Sequence, residues 1–201
     1  MTDYSNLDDL RQLIEGSQRA QRNWDLDKQL PTDHIKLLKY SIKKCPTKQN
    51  RAWYSVTFIT NRDIIEQIYK TTYGFSYGGP DNLTIYNTQT LANMLVLFHL
   101  DVDPRKSVTE DTLANTRGIQ EQSIGIASAY LNLTAHMLGY KTGFCQCFDD
   151  TKIAKIINKP RTNLILGIGF PNEGVDRKVH HINNEFIYPT FDKRVKVDTI
   201  E

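Results

Sequence analysis

The sequence predicts an α+β domain, on three observations. Residues 53–60 alternate, Tyr54, Val56 and Phe58 against Ser55, Thr57 and Ile59, which is the period of a half-buried strand. Residues 94–100 form an unbroken apolar run, suited to a central strand covered on both faces. Residues 120–138 place Ile124, Ile126, Ala127, Ala129, Leu131, Leu133, Ala135, Met137 and Leu138 around most of a helical circumference. Helices and strands interleave at long spacing, no internal repeat appears, and 201 residues suit a single domain over 1–201.

The remaining elements follow in chain order. A first helix over 7–15 lines up Leu7, Leu10 and Ile14, with Ser5 and Asp8 as a capping box and Gly16 as a stop. A basic turn over 18–24 precedes a second helix. Thr32 caps that helix, Ile35, Leu38 and Ile42 face inward, and Pro46 ends it. Residues 62–70 read as a short helix burying Ile64, Ile65 and Ile68. The Gly- and Tyr-rich stretch 73–90, turning at Gly78-Gly79-Pro80, is longer than most structureless loops and points to a lid or another function. Residues 101–116 read as a polar linker, 153–157 as a short helix, 164–170 as a strand, and 185–188 and 193–197 as extended pieces.

A helix that is apolar all round must be buried all round, and one layer of a small domain hides only one side. A subunit interface over the other side is the expected remedy. The rival arrangement wraps this helix entirely within its own chain.

Hydrophobic residues make up 39% and charged residues 24%, with a net charge of +2, an ordinary globular balance. That charge makes no case for a nucleic-acid footprint or a basic membrane face. Ser128, Asn132, Thr134 and His136 interrupt the longest apolar stretch, so no membrane span is expected. The acidic opening residues do not read as a leader peptide, and three cysteines, an odd number, suit free thiols in a reducing cytoplasm. The sequons at Asn82 and Asn132 are then chance matches. Cys145 and Cys147 lack a second ligand pair, and the side chains of adjacent His180 and His181 diverge, so no metal site is predicted.

Four collinear stretches carry a family resemblance. Gln18-Arg19-Ala20-Gln21-Arg22-Asn23-Trp24 is similar to an Arg-Arg-Ser-x-Arg-x-Phe opening, and Pro46-Thr47-Lys48-Gln49-Asn50-Arg51-Ala52-Trp53 to a Pro-Ser-Ser-x-Asn-x-Gln-Pro-Trp segment before the first strand. Ser123-Ile124-Gly125-Ile126-Ala127 through Leu138-Gly139-Tyr140 resembles a long central helix ending in a Leu-Gly-Leu turn. Gly167-Ile168-Gly169-Phe170-Pro171 resembles a Leu-Gly-Tyr-Pro strand end. In this order they resemble the FMN-dependent nitroreductase family.

The resemblance implies a nitroreductase-like fold with a central mixed or antiparallel sheet flanked by helices. It also implies a domain-swapped type of homodimer whose flavins lie at the interface, with 193–197 as the exchanged strand. The implied activity is that of an FMN-containing NAD(P)H oxidoreductase. Hydride passes from NADH or NADPH through flavin N5 to a small electron-poor acceptor such as a nitroaromatic or quinone, in a ping-pong cycle. No side chain receives a catalytic role, because the cofactor carries the chemistry.

The site residues implied are Gln18, Arg19, Arg22, Asn50, Asn87, Gln146, Cys147 and either Arg177 or Lys178. Arg19 and Arg22 supply cationic donors for a phosphate, and Arg22 a charge at the N1–C2=O edge, where negative charge develops on reduction. Their rival reading is a solvated basic turn. Asn87 offers a carboxamide to the N3–H edge, against a plain loop turn. Asn50 is matched in a shortened segment, against a structural cap. Main-chain N–H groups at Gln146-Cys147 face N5, while the cysteine thiols read as packing groups. Trp53, Tyr73, Phe75 and Tyr77 are available for stacking or as a lid. Gln18, Ala20 and Thr90 depart from the family's Arg, Ser and Lys. Two alternatives therefore stand beside the reductase: a non-catalytic flavin carrier, and specialised flavin chemistry such as dehalogenation or flavin fragmentation.

Overall fold

Alternate residues of one strand divide the hydrophobic core in two. In the computed structural model, which describes residues 6–76, 84–100, 110–159 and 161–200, strand β4 (Met94–His99) is buried along its whole length. Met94, Val96 and Phe98 join one apolar cluster, and Leu95 and Leu97 join another on the opposite face. β4 lies inside a four-stranded antiparallel sheet of order β1 (Ser55–Ile59), β4, β6 (Thr162–Gly169), β5 (Lys141–Cys145). Register is fixed by pairs such as Phe58↔Val96, Val96↔Leu166 and Gly143↔Gly167.

Helices cover both faces. Helix α2 (Thr32–Lys44) and helix α4 (Glu110–Met137) close the first, bringing Leu38, Ile42, Ile124, Ala127, Leu131 and Ala135 against the sheet. Helices α3 (Arg62–Tyr69) and α5 (Asp150–Ile157) close the second with Ile65, Ile68 and Ile153. Each fully buried Leu or Ile of this kind contributes about 1.5–3 kcal/mol. The α+β class is as expected, and the sheet is antiparallel rather than mixed.

Helix α1 (Leu7–Ser17) packs beside α4 but buries no residue completely. Its cap is Asn6, whose side chain accepts from the Asp8 N–H, rather than the expected Ser5. Pro31, not Thr32, holds the cap position of α2, without a side-chain bond. The expected linker over 101–116 is helical from Glu110 onward, because α4 starts there. The 73–90 stretch contains a short hairpin, β2 (Phe75–Ser76) with β3 (Thr84–Ile85), and a 3-10 turn over Thr88–Leu91. The Gly78-Gly79-Pro80 turn, Tyr77 and the Asn82 sequon lie outside the described residues, and so does Ser5.

Strand β5 was not anticipated as a strand. Residues 185–188 and 193–197 do not join the sheet, and Ile187 makes only an isolated bridge with Val179. The two-sided character of α4 is resolved in one direction only. Ile126, Tyr130, Leu133 and Met137 stay 38–48% exposed on the face away from the sheet, beside Leu7, Leu10 and Ile14 of α1. Among the described residues nothing covers this face.

Candidate functional site

Segment 18–25 is laced into place by main-chain bonds to three elements. The Gln21 N–H donates to Thr142 O of β5 at 2.8 Å, Asp25 N–H to Phe170 O beyond β6 at 3.0 Å, and Arg22 N–H to Arg177 O at 3.0 Å. Side chains lock the same turn. Gln21 Nε2 donates to Asn23 O at 2.7 Å, and Asn23 Nδ2 donates to Asp176 O at 2.7 Å and Val179 O at 3.1 Å. Trp24, fully buried, donates from Nε1 to Thr88 O at 2.8 Å.

This lacing brings Arg22 and Arg177 together. Arg177 Nη1 donates to Ala20 O at 3.2 Å, so both guanidiniums belong to one knot. Burial pushes the Arg22 group below its ordinary value, and repulsion from Arg177 acts the same way. Among the described residues no carboxylate pairs with Arg19, Arg22 or Arg177. Lys178 differs, since its Nζ lies 3.8 Å from Asp176 Oδ2. Of the two C-terminal cations, Arg177 is the one beside Arg22.

Arg22 has two further neighbours. Its guanidinium lies 4.2 Å over the Tyr188 ring, and its Nη1 donates to Gln89 Oε1. Gln89 Nε2 donates onward to Phe144 O of β5 at 3.0 Å. The turn carrying Gln89 sits directly on the sheet because Gly143 and Gly167 face each other across β5 and β6. A Cβ at Gly143 would come within 2.4 Å of Gln89 Cβ, and one at Gly167 within 2.1 Å of Gln89 O. Only glycine leaves room for that approach.

Tyr188 roofs the cluster. Its hydroxyl accepts from Thr88 N–H at 3.2 Å and donates to Tyr86 O, and its ring stacks on His180 at 5.8 Å between centroids. His180 Nδ1 accepts from Ile182 N–H at 3.1 Å and Asn183 N–H at 2.8 Å, which places the imidazole proton on Nε2. Burial lowers the His180 value and raises that of Tyr188.

The other expected residues fall into three groups. Gln18 and Arg19 are exposed at the end of α1, on the same turn as Arg22. Cys147 is exposed and within electrostatic reach of Arg22, whereas the Gln146 side chain lines a separate cleft of about 750 Å³ with Arg117 and Arg161. Cys147 O accepts from Tyr73 N–H at 2.8 Å, and the Tyr73 side chain is 60% exposed. Asn87 is buried; its Nδ2 donates to Tyr73 O at 2.7 Å and its N–H to Thr72 Oγ1 at 2.9 Å. The carboxamide donor thus closes the loop.

Asn50 lies elsewhere. It sits in a left-handed pair with Gln49, at φ 52° and 56°, and lines a cleft of about 660 Å³ with Lys39, Arg51, Tyr54 and Phe58 along the edge strand β1. Arg22 lies by β5, the opposite edge. One chain therefore does not bring the whole expected set together. Trp53 is buried and donates to Lys48 O at 2.9 Å, a packing role. Gln89 and Tyr188 were missed. Nothing marks them in the sequence except the glycines that admit the Gln89 turn.

All three cysteines are free, and burial pushes the Cys145 thiol up to about 12, which leaves it inert. Among the described residues there is no cluster of His, Cys, Asp and Glu able to hold a metal, and no helix long and apolar enough to cross a membrane.

No protein-family model matches the chain, and no curated protein resembles it in sequence. Solved structures do resemble it. A nitroreductase family protein from Clostridium novyi NT superposes with a TM-score of 0.64 at 13% identity, covering 87% of this chain and 92% of its own. A protein assigned as an NAD(P)H:FMN oxidoreductase from Staphylococcus epidermidis gives 0.62 at 16%, covering 86% and 92%. An FMN-dependent nitroreductase from Clostridium difficile R20291 gives 0.58 at 14%, covering 83% and 88%. The chain has the nitroreductase fold, as the motif order implied.

Proposed function

We propose that this protein is an FMN-dependent oxidoreductase of the nitroreductase type, reduced by NADH or NADPH and oxidised by a small electron-poor acceptor. The observation that carries the reading is the Arg22–Arg177 knot. The Arg22 N–H bonds Arg177 O at 3.0 Å, Arg177 Nη1 bonds Ala20 O at 3.2 Å, and no described carboxylate pairs with either guanidinium. A like-charge pair fixed by main-chain bonds suits an anionic ligand, and a flavin phosphate with a ring that becomes anionic supplies that charge. The donor set therefore fits FMN, and the names of the structural neighbours point the same way.

When bound, FMN supplies the hydride chemistry, which explains why no acid–base dyad is needed. The chain's own tasks are simpler. Arg19 and Arg177, with Gln18 as a neutral donor, would hold the phosphate, and Arg22 would place positive charge at the ring edge. The main chain at Gln146-Cys147 would approach the ring, and Tyr73 would cover it.

A homodimer is part of the proposal. Its motives are the uncovered apolar face of α1 and α4 and the placing of Asn50 at the opposite sheet edge from Arg22. A partner's Asn50 loop would complete each site, and segment 193–197 would lie along the partner. Free thiols suit a reducing cytoplasm.

Purified protein is expected to be yellow, and the colour should bleach anaerobically on adding NADH or NADPH. Arg22→Ala should lose FMN on dialysis; equal retention would remove Arg22 from the site. A flavin carrier is the second reading, favoured by the closure of Tyr188 over Arg22. A yellow protein that resists both nicotinamides would select it.

A further inference from the structure

Gln89 stands between two elements that would meet one ring system from different sides. Its carboxamide orientation is settled by chemistry. A guanidinium only donates and a carbonyl only accepts, so Oε1 must face Arg22 and Nε2 must face Phe144 O, as observed. The residue is 5% exposed and seated against the facing glycines, so neither its position nor its rotamer is free to drift.

A neutral acceptor is the telling choice. A carboxylate at this place would hold Arg22 equally well but would neutralise it. A carboxamide fixes the direction of the guanidinium and leaves the full charge to act elsewhere. Tyr188 covers one face of the group, so the direction set by Gln89 decides which N–H edge remains for a ligand.

We propose that Gln89 is a positioning residue that aims the Arg22 charge at bound flavin and couples it to the end of β5 through Phe144 O; this rests on the flavin reading above. Reduced flavin carries more negative charge than oxidised flavin, so a well-aimed Arg22 binds the reduced form more tightly and raises the midpoint potential.

The test is a set of four proteins: wild type, Gln89→Leu, Arg22→Ala and the double variant. FMN affinity is read by fluorescence quenching and the midpoint potential by dye-equilibrated titration. Gln89→Leu is expected to reduce the preference for reduced over oxidised flavin at least tenfold, about 30 mV for a two-electron couple. In the Arg22→Ala background, where the preference is read from the affinities for oxidised and reduced FMN titrated to saturation, the same change should move it less than twofold, because the aimed group is gone. Should Gln89→Leu not fold, Gln89→Asn, too short to span both partners, is read identically. An unchanged potential, or an equal drop in both backgrounds, overturns the role of Gln89. A wild-type protein that never binds FMN overturns the flavin reading and this proposal together.

Discussion

Gly167→Ala tests the seating of the 88–91 turn on the sheet. The added methyl carbon would lie 2.1 Å from Gln89 O and 3.0 Å from Ala92 Cβ. Ordinary carbon–oxygen contacts begin near ~3.3 Å, so the turn must rise by roughly 1 Å. Crowding of this kind costs about 1–3 kcal/mol. The lift also stretches the 3.0 Å bond to Phe144 O and the bond to Arg22, worth about 1 kcal/mol or more each. A loss of ~3 kcal/mol results, or on the order of 6–12 °C in Tm for a domain of this size. Scanning calorimetry reads the shift. Gly125→Ala is the control: it lies in α4 with no heavy atom within 4 Å of the new methyl, and should gain about 0.5–1 kcal/mol. If Gly167→Ala melts with the wild type, the turn is not seated on β6 as described.

The remaining predictions concern pH, assembly and thiols. Burial pushes His136 down to about 4, so the unfolded chain takes the proton first; its stabilisation is complete above ~pH 7 and is lost between ~6.5 and ~4, by at most ~3 kcal/mol. Urea midpoints should fall across that window, and less steeply in His136→Gln; an identical slope would clear His136, although His180 and His181 act in the same direction. Leu133→Glu places a charge on the uncovered face of α4 and should sediment as a folded monomer beside a dimeric wild type. Dimeric Leu133→Glu, or monomeric wild type, would discard that interface. In FMN-free protein at pH 8, iodoacetamide should label exposed Cys147 and spare buried Cys45 and Cys145, giving a single adduct by mass spectrometry. Rapid labelling of Cys145 would contradict its burial.

The sheet's centre and the helices were legible because burial writes a period into the sequence. The run at Met94–His99 suits a strand hidden on both faces, and the two apolar sides of α4 announced both the sheet it covers and the face it leaves open. β5 escaped notice because it is an edge strand whose Lys141, Gly143 and exposed Phe144 break any alternation. The cap of α1 was placed one residue early because Ser5 and Asn6 are both good caps. For the site, Arg22 and the choice of Arg177 over Lys178 illustrate the limit. Motif order marked both candidates, but only the Arg177–Ala20 bond and the Lys178–Asp176 pair separate them. Gln89 lies in a run of polar residues, Asn87 to Thr90, all buried. Hydropathy places such a run at the surface, and its burial depends on hydrogen bonds that only the tertiary fold supplies.

Helix α1 is held at its far end by a polar clasp. Asn132 Nδ2 donates to Ser17 O at 2.8 Å, while Asn132 Oδ1 accepts from Thr142, whose hydroxyl also meets His136. With no side chain sunk fully into the core, α1 has little else to resist detachment, so it is expected to open before the sheet. Its amide protons should exchange ahead of those of the sheet. Any association that covers Leu7, Leu10 and Ile14 would slow them, making this first helix an internal gauge of whether the protein stands alone.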